Sequence, residues 1–250
     1  VIRWIFFDVG NVLFSDDPVM TLVYQRLWEA IHQAQPDFSF DQLMAEREHL
    51  IRTNSYGHYS MLALHYLDPR TWETVHRAIQ AEVRAAPLVY YIPVLGARPV
   101  LETLVGRYRL AIAANQPPSC RTMLQHFQLL SFFDVVGLSD EMGLAKPDPR
   151  FFQFLLEQAG VAAAEALMIG DRTDYDIGPA KQLGMKTIRL ILSLAAKGDP
   201  PDSVFGRKYL ESIERAAMST ADPRGSTEEP DLTLYSWAEI PPAVNWLAQA

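Results

Sequence analysis

Ile2-Arg3-Trp4-Ile5-Phe6-Phe7-Asp8 is an apolar run that halts at an acid. Two later stretches repeat the pattern: Leu110 to Ala114 stops at Asn115, and Leu167 to Ile169 stops at Gly170-Asp171. Runs this short, bounded by polar residues, predict buried strands rather than helices. Val135 to Leu138, Thr187 to Leu192 and Leu232 to Tyr235 predict three more. Helical patterns at Arg98 to Val105, Ser119 to Phe127, Pro149 to Gln158 and Ile177 to Leu183 alternate with the later runs. Strands and helices in that alternation predict an α/β fold, a doubly wound parallel sheet.

The stretch after the first run reads differently. Met20, Val23, Leu27, Trp28 and Ile31, then Phe40, Leu43 and Met44, recur at helical spacing. Residues 17–87 therefore predict an inserted α-helical domain, with 1–16 and 88–250 forming the α/β core. Residues 197–230, rich in Pro, Asp and Ser with one helical pattern at Arg207 to Met218, read as a surface insertion in that core. The five tryptophans, Trp4, Trp28, Trp72, Trp237 and Trp246, read as packing residues.

Composition narrows the function classes. Of 250 residues 49% are apolar, enough for a real core, and 30 Asp and Glu against 22 Lys and Arg give a net charge of −8. Such an excess repels phosphate backbones and anionic lipid, which argues against nucleic acid or membrane as main partner. Cys120 is the only cysteine, so neither an intrachain disulfide nor a cysteine-rich zinc site is available. No basic-then-apolar leader is visible, and stretches such as Leu190 to Ala196 are too short for a bilayer. A soluble, cytoplasmic protein is expected, with its oligomeric state left open between monomer and homodimer.

In open α/β sheets, ligands bind beyond the carboxyl ends of the strands. Asp8, Asn115 and Asp171 stand at three such ends, so neighbouring strands would bring two carboxylates and an amide together. Close carboxylates call for a cation, and hard oxygen donors favour Mg²⁺. Asp176, five residues beyond Asp171, offers a further carboxylate, and Lys146, set between Ala145 and Pro147, offers positive charge. A cation and an ammonium together neutralise a phosphate that would otherwise repel an attacking carboxylate, which makes Asp8 a candidate nucleophile on phosphorus. Around Gly57, Arg52, Tyr56 and His58 form a polar loop suited to touch a substrate, although solvated faces and helix packing account for it equally well.

Four motifs, in order, carry a resemblance. Phe6-Phe7-Asp8-Val9-Gly10-Asn11-Val12-Leu13 resembles the first motif of the haloacid dehalogenase-like hydrolases, and Ala113-Ala114-Asn115-Gln116-Pro117 occupies the place of the second. Gly143-Leu144-Ala145-Lys146-Pro147-Asp148-Pro149 resembles the third, and Ile169-Gly170-Asp171-Arg172-Thr173-Asp174-Tyr175-Asp176 the fourth. The resemblance covers nearly the whole chain, and the inserted helices match the family's C1-type cap. It implies a Rossmannoid core and a Mg²⁺-dependent phosphatase of a small phosphorylated metabolite, working through an aspartyl-phosphate on Asp8. It further implies Asp8, Lys146 and Asn115 as catalytic residues. Metal would be held by Asp8, the Gly10 carbonyl, Asp171 and, as outer support or added ligand, Asp176. Asn115, Gln116 and Lys146 would meet the phosphate.

Two positions depart from the family pattern. Gly10 stands where most of these phosphatases carry the Asp that protonates the leaving oxygen. Such acid–base assistance is worth about 10²–10⁴-fold, so turnover is expected to be slow while the metal site survives. Ala114 replaces a hydroxyl residue that would hydrogen-bond the phosphate, a loss of about 1.5–3 kcal/mol. Asn11 replaces a usual turn glycine, and Asn tolerates positive φ. These departures keep two rivals in play: a catalytically silent relative that binds a phosphorylated ligand or a partner, and a metal-free haloacid dehalogenase.

Overall fold

The computed structural model of the chain describes residues 1–53, 58–198, 202–218 and 229–249. The chain starts with β1 (Trp4–Phe7) and β2 (Phe14–Ser15), followed by helices α1 (Asp17–Ala34), α2 (Phe40–Thr53), α3 (His58–Tyr66), α4 (Pro69–Ala85) and α5 (Pro87–Tyr90). Next come β3 (Ile92–Pro93), α6 (Ala97–Leu104), β4 (Arg109–Ala114), α7 (Ser119–His126), β5 (Val135–Leu138), α8 (Ser139–Met142) and α9 (Pro149–Ala159). The last part holds β6 (Ala166–Gly170), α10 (Gly178–Gln182), β7 (Lys186–Leu190), α11 (Val204–Met218), β8 (Leu232–Leu234) and α12 (Ile240–Leu247).

The chain divides into two compact units. The first comprises Val1–Ser15, Pro93–Gly198 and Ser226–Ala250 and contains a six-stranded parallel sheet in the order β5-β4-β1-β6-β7-β8. All six sequence-predicted strands are there, and the three that end in Asp8, Asn115 and Gly170-Asp171 are the adjacent central ones, β4, β1 and β6. Both faces of β1 are covered, which is why its sequence is apolar without alternation. Trp4 and Phe6 pack with Phe151, Phe152 and Leu155 of α9. On the opposite face the Phe7 ring stacks on Trp237 at 5.5 Å, and Trp237 Nε1 donates to the Val12 carbonyl at 2.9 Å. Trp246 departs from the packing expectation: it lies on the outer side of α12, 58% exposed.

The second unit comprises Asp16–Ile92 and Asp199–Gly225 and is helical. Its limits correct two expectations. The chain leaves it at Ile92 rather than 87, because Tyr90 and Tyr91 pack on a core of Leu22, Val23, Ile79 and Val83. More consequentially, the described helix of 197–230 groups with this unit and not with the sheet unit. This helix, α11, packs on α1 and α2, since Phe205 meets Trp28 and Phe40 at 5.4 and 4.9 Å and Tyr209 stacks on Tyr24 at 5.6 Å. Lys208 and Arg215 close the outer edge on Asp41 and Glu48. Aromatic residues at helical spacing in 204–216 needed an apolar partner, and α1 and α2 supply it. Among the described residues no helix is long and apolar enough to cross a membrane.

Candidate active site

Asp8 follows β1 directly, and its backbone N–H is bonded to the Ile169 carbonyl of β6 at 2.9 Å. The chain then turns sharply: the Val9 carbonyl accepts from Leu13 and Phe14 N–H groups at 2.8 and 3.1 Å. Asn11 sits at φ 54°, the left-handed conformation its amide tolerates, as its place in the sequence predicted. Gly10 lies buried in this turn and has only backbone to offer.

Lys146 is the centre of the site. Its ammonium, 2% exposed, lies 2.8 Å from Asp8 Oδ1 and 2.5 Å from Asp176 Oδ1. Burial pulls the ammonium downward, but the charges of Asp176 and Asp8 outweigh that and hold it above its ordinary range. Asn115 fixes the lysine from the backbone side. Its Nδ2 donates to the Lys146 carbonyl and its Oδ1 accepts from the Lys146 N–H, both at 2.8 Å. The side chain read from sequence as a phosphate contact is thus turned onto the neighbouring loop. Gln116 follows it in the same loop, half-buried.

Asp176 is fully buried and accepts on both oxygens, Oδ1 from Lys146 and Oδ2 from the Arg172 N–H at 3.0 Å. A π-helical turn, Thr173–Ile177, brings it back toward the strand it left. Burial, and then the nearby charges of Asp8 and Asp171, raise its carboxyl, against the pull of Lys146. Gly170 makes this possible, because a Cβ there would fall 2.2 Å from Asp176 Oδ2. Asp171 is anchored through its carbonyl, which accepts from Arg189 Nε at 3.1 Å.

One oxygen each from Asp8, Asp171 and Asp176 lies within 4.8 Å of the others. Three carboxylates facing one ammonium leave two negative charges over, a balance that a hard divalent cation completes. The donor set fits the metal that the sequence implies, with the Gly10 carbonyl nearby in the chain.

Sequence reasoning missed three supports. Gly170 was seen only as punctuation before an acid, although a glycine closing an apolar strand is a signal of close approach. Asp174, given no role within the fourth motif above, is buried, with its carboxylate held by Arg172 Nε and Nη2 at 2.9 and 2.5 Å. The same guanidinium lies 4.3 Å from the Tyr175 ring. Of the polar loop residues, Arg52 is exposed in the last turn of α2 and His58 opens α3, both in the helical unit. Tyr56 lies outside the described residues.

Comparison with known proteins agrees with this geometry. The family model of haloacid dehalogenase-like hydrolases matches residues 2–184. A glyceraldehyde 3-phosphate phosphatase of Pyrococcus abyssi is 31% identical over 194 residues, covering 75% of this chain and 81% of its own. One from Methanocaldococcus jannaschii is 27% identical over 206 residues, covering 76% and 86%. The crystal structure of a phosphatase of this family from Thermococcus onnurineus superimposes with a TM-score of 0.60 at 21% identity, over 97% of this chain and 98% of that one, a likeness of fold. The chain belongs to the haloacid dehalogenase-like hydrolases and is a phosphoric monoester hydrolase.

Proposed function

We propose that this hydrolase is a Mg²⁺-dependent phosphatase of a small phosphorylated metabolite and that Asp8 is its nucleophile. The observation that carries the reading is Lys146, buried between Asp8 and Asp176 at 2.8 and 2.5 Å, with Asp171 completing the carboxylate cluster. Asp8, Asp171, Asp176 and the Gly10 carbonyl would hold the metal, which supplies neutralising charge to the phosphoryl oxygens when bound. Lys146 orients the Asp8 carboxylate and adds its own charge. An Asp8 oxygen forms a bond to phosphorus while the ester P–O bond breaks, and the alcohol leaves. Water then attacks the aspartyl-phosphate, releasing phosphate and restoring Asp8. The proton for the leaving oxygen comes from solvent, since Gly10 provides none.

The relatives named as glyceraldehyde 3-phosphate phosphatases support a substrate of a few carbons carrying one phosphate. Arg52, Tyr56 and His58, with Gln116, are the side chains proposed to meet it. A single-turnover trap tests the chemistry. With Mg²⁺ and an aryl phosphate, wild type should gain a phosphoryl group on the peptide containing Asp8, and Asp8→Asn should not. If wild type neither labels nor turns over above Asp8→Asn, the reading is lost.

A further inference from the structure

Asp174 is a buried acid in the loop of the carboxylate cluster that the phosphatase reading leaves without a task. Its side chain is 2% exposed, and both of its oxygens accept from one partner: Arg172 Nε donates to Oδ1 at 2.9 Å and Nη2 to Oδ2 at 2.5 Å. Asp174 is not a member of the cluster itself, which among the described residues comprises Asp8, Asp171 and Asp176. The same guanidinium lies 4.3 Å from the centre of the Tyr175 ring.

The backbone of Arg172 meanwhile holds Asp176. Its N–H donates to Asp176 Oδ2 at 3.0 Å, and its carbonyl accepts from the Asp176 and Ile177 N–H groups at 3.0 and 3.2 Å. Residue 172 therefore grips 174 and 175 with its side chain, and 176 and 177 with its backbone, one position after Asp171. The span that separates two carboxylates of the cluster is closed through this one residue. Stability is a weak reason for such a pair, because an interior ion pair costs its partners their hydration and packed apolar residues commonly serve a fold as well. What a fork supplies is geometry: two parallel N–H···O bonds between a planar guanidinium and a planar carboxylate admit little rotation. Here they tie the residue that opens the π-helical turn to one inside it, across a conformation that is rare on its own.

We propose that Asp174 and Arg172 are positioning residues, whose fork holds the Thr173–Ile177 turn so that the Asp171 and Asp176 carboxylates stand at the separation a divalent cation requires. The inference rests on the metal site proposed above and assigns its outer support to a pair outside the cluster.

Counting free Mn²⁺ by electron paramagnetic resonance while the full chain is titrated, without substrate, tests it. Asp174→Asn keeps the shape of the side chain but can accept only one of the two N–H bonds. Arg172→Lys keeps a cation beside Asp174 but has no fork. Each should weaken Mn²⁺ binding about 10–100-fold, the effect usual for groups that orient metal ligands. The double variant should bind no more weakly than the weaker single one, because both changes break the same fork. Leu247→Ala, a cavity variant at a residue of α12 that is 3% exposed, controls for lost stability: it should lower Tm and leave Mn²⁺ affinity at the wild-type value. A wild type that binds no Mn²⁺ overturns the metal site and this inference with it. Binding by wild type that is unchanged in Asp174→Asn and Arg172→Lys overturns the inference alone. So do losses that simply add in the double variant, or a loss in Leu247→Ala that matches theirs.

Discussion

Gly170→Ala is expected to unseat Asp176 and, through it, Lys146. A Cβ at position 170 falls 2.2 Å from Asp176 Oδ2, 2.3 Å from its Cγ and 2.5 Å from its Cβ. Comfortable contacts lie near 3.5 Å, so the carboxylate must retreat by about 1 Å. That retreat parts the 2.5 Å contact with Lys146 and the 3.0 Å bond from the Arg172 N–H. Overpacking costs about 1–3 kcal/mol, and breaking a buried ion pair about 3–5 kcal/mol. One displacement causes both, so the costs overlap and the expected loss is about 3–5 kcal/mol. For a chain of this size that is a fall in Tm of roughly 6–20 °C.

A double-mutant cycle isolates the cause. Once Asp176→Gly has removed the carboxylate together with its Cβ, the new methyl is relieved of all three of these contacts, and Gly→Ala within a strand is close to neutral or favourable. Urea unfolding of wild type, both single variants and the double variant should therefore show a coupling of about 2–3 kcal/mol. Equal costs for Gly170→Ala in both backgrounds would refute the reasoning, whatever the size of the effect.

Restoring a carboxylate with Gly10→Asp should raise kcat on an alkyl phosphate by about 10²–10⁴-fold and much less on an aryl phosphate, whose leaving group needs little protonation. An equal factor on both substrates contradicts a role in proton delivery. Asn115→Ala removes both 2.8 Å bonds to the Lys146 backbone and should lower kcat/KM by about ten- to a hundredfold, chiefly through kcat; an effect confined to KM would return Asn115 to the phosphate. The raised Asp176 carboxyl gives a pH signature in metal-free protein. Its proton is held more tightly when folded, so it favours folding at acid pH, and that contribution is lost as pH climbs from the ordinary carboxylate range through the raised value. Tm should decline more steeply over that window in wild type than in Asp176→Asn, a difference that saturating Mg²⁺ removes; parallel slopes argue that Asp176 does not titrate there.

Position in the sheet was legible because burial on both faces leaves an unmistakable trace: β1, β4 and β6 are uninterrupted apolar runs that stop at polar residues. Asp8 and Asp171 were legible because strand ends converge, and Lys146 through the motif in the loop between α8 and α9. The direction of Asn115 was not, since an amide at a strand end serves a phosphate or a backbone loop equally well, and only the fold brings residue 146 within reach. The membership of α11 was hidden for a related reason. An amphipathic helix announces that it needs a partner, but Tyr209 and Phe205 match the exposed faces of α1 and α2 no less than those of a sheet unit. Gly170 was unreadable because what it accommodates, the Asp176 carboxylate, arrives through a π-helical turn whose course no periodicity encodes.

The charged groups of the site do not all speak equally for catalysis. Asp176 and Lys146 are buried together: removing Lys146 leaves the Asp176 carboxylate uncompensated in the interior, at a cost of about 3–5 kcal/mol, and removing Asp176 leaves the lysine only its contact with Asp8. The fold alone therefore retains that pair, whether or not phosphorus is ever attacked. A side chain at position 10 is under no such constraint, because its loss leaves no orphaned partner and subtracts only rate. Asp8 and Asp171 differ from both. They are partly exposed at the ends of β1 and β6. Their carboxylates nonetheless lie with Asp176 in a cluster whose surplus charge is unfavourable until a cation arrives. On the proposed metal site that surplus is balanced only when a cation binds, so Asp8 and Asp171, more than the buried lysine, are the residues whose replacement would separate a working hydrolase from a silent relative.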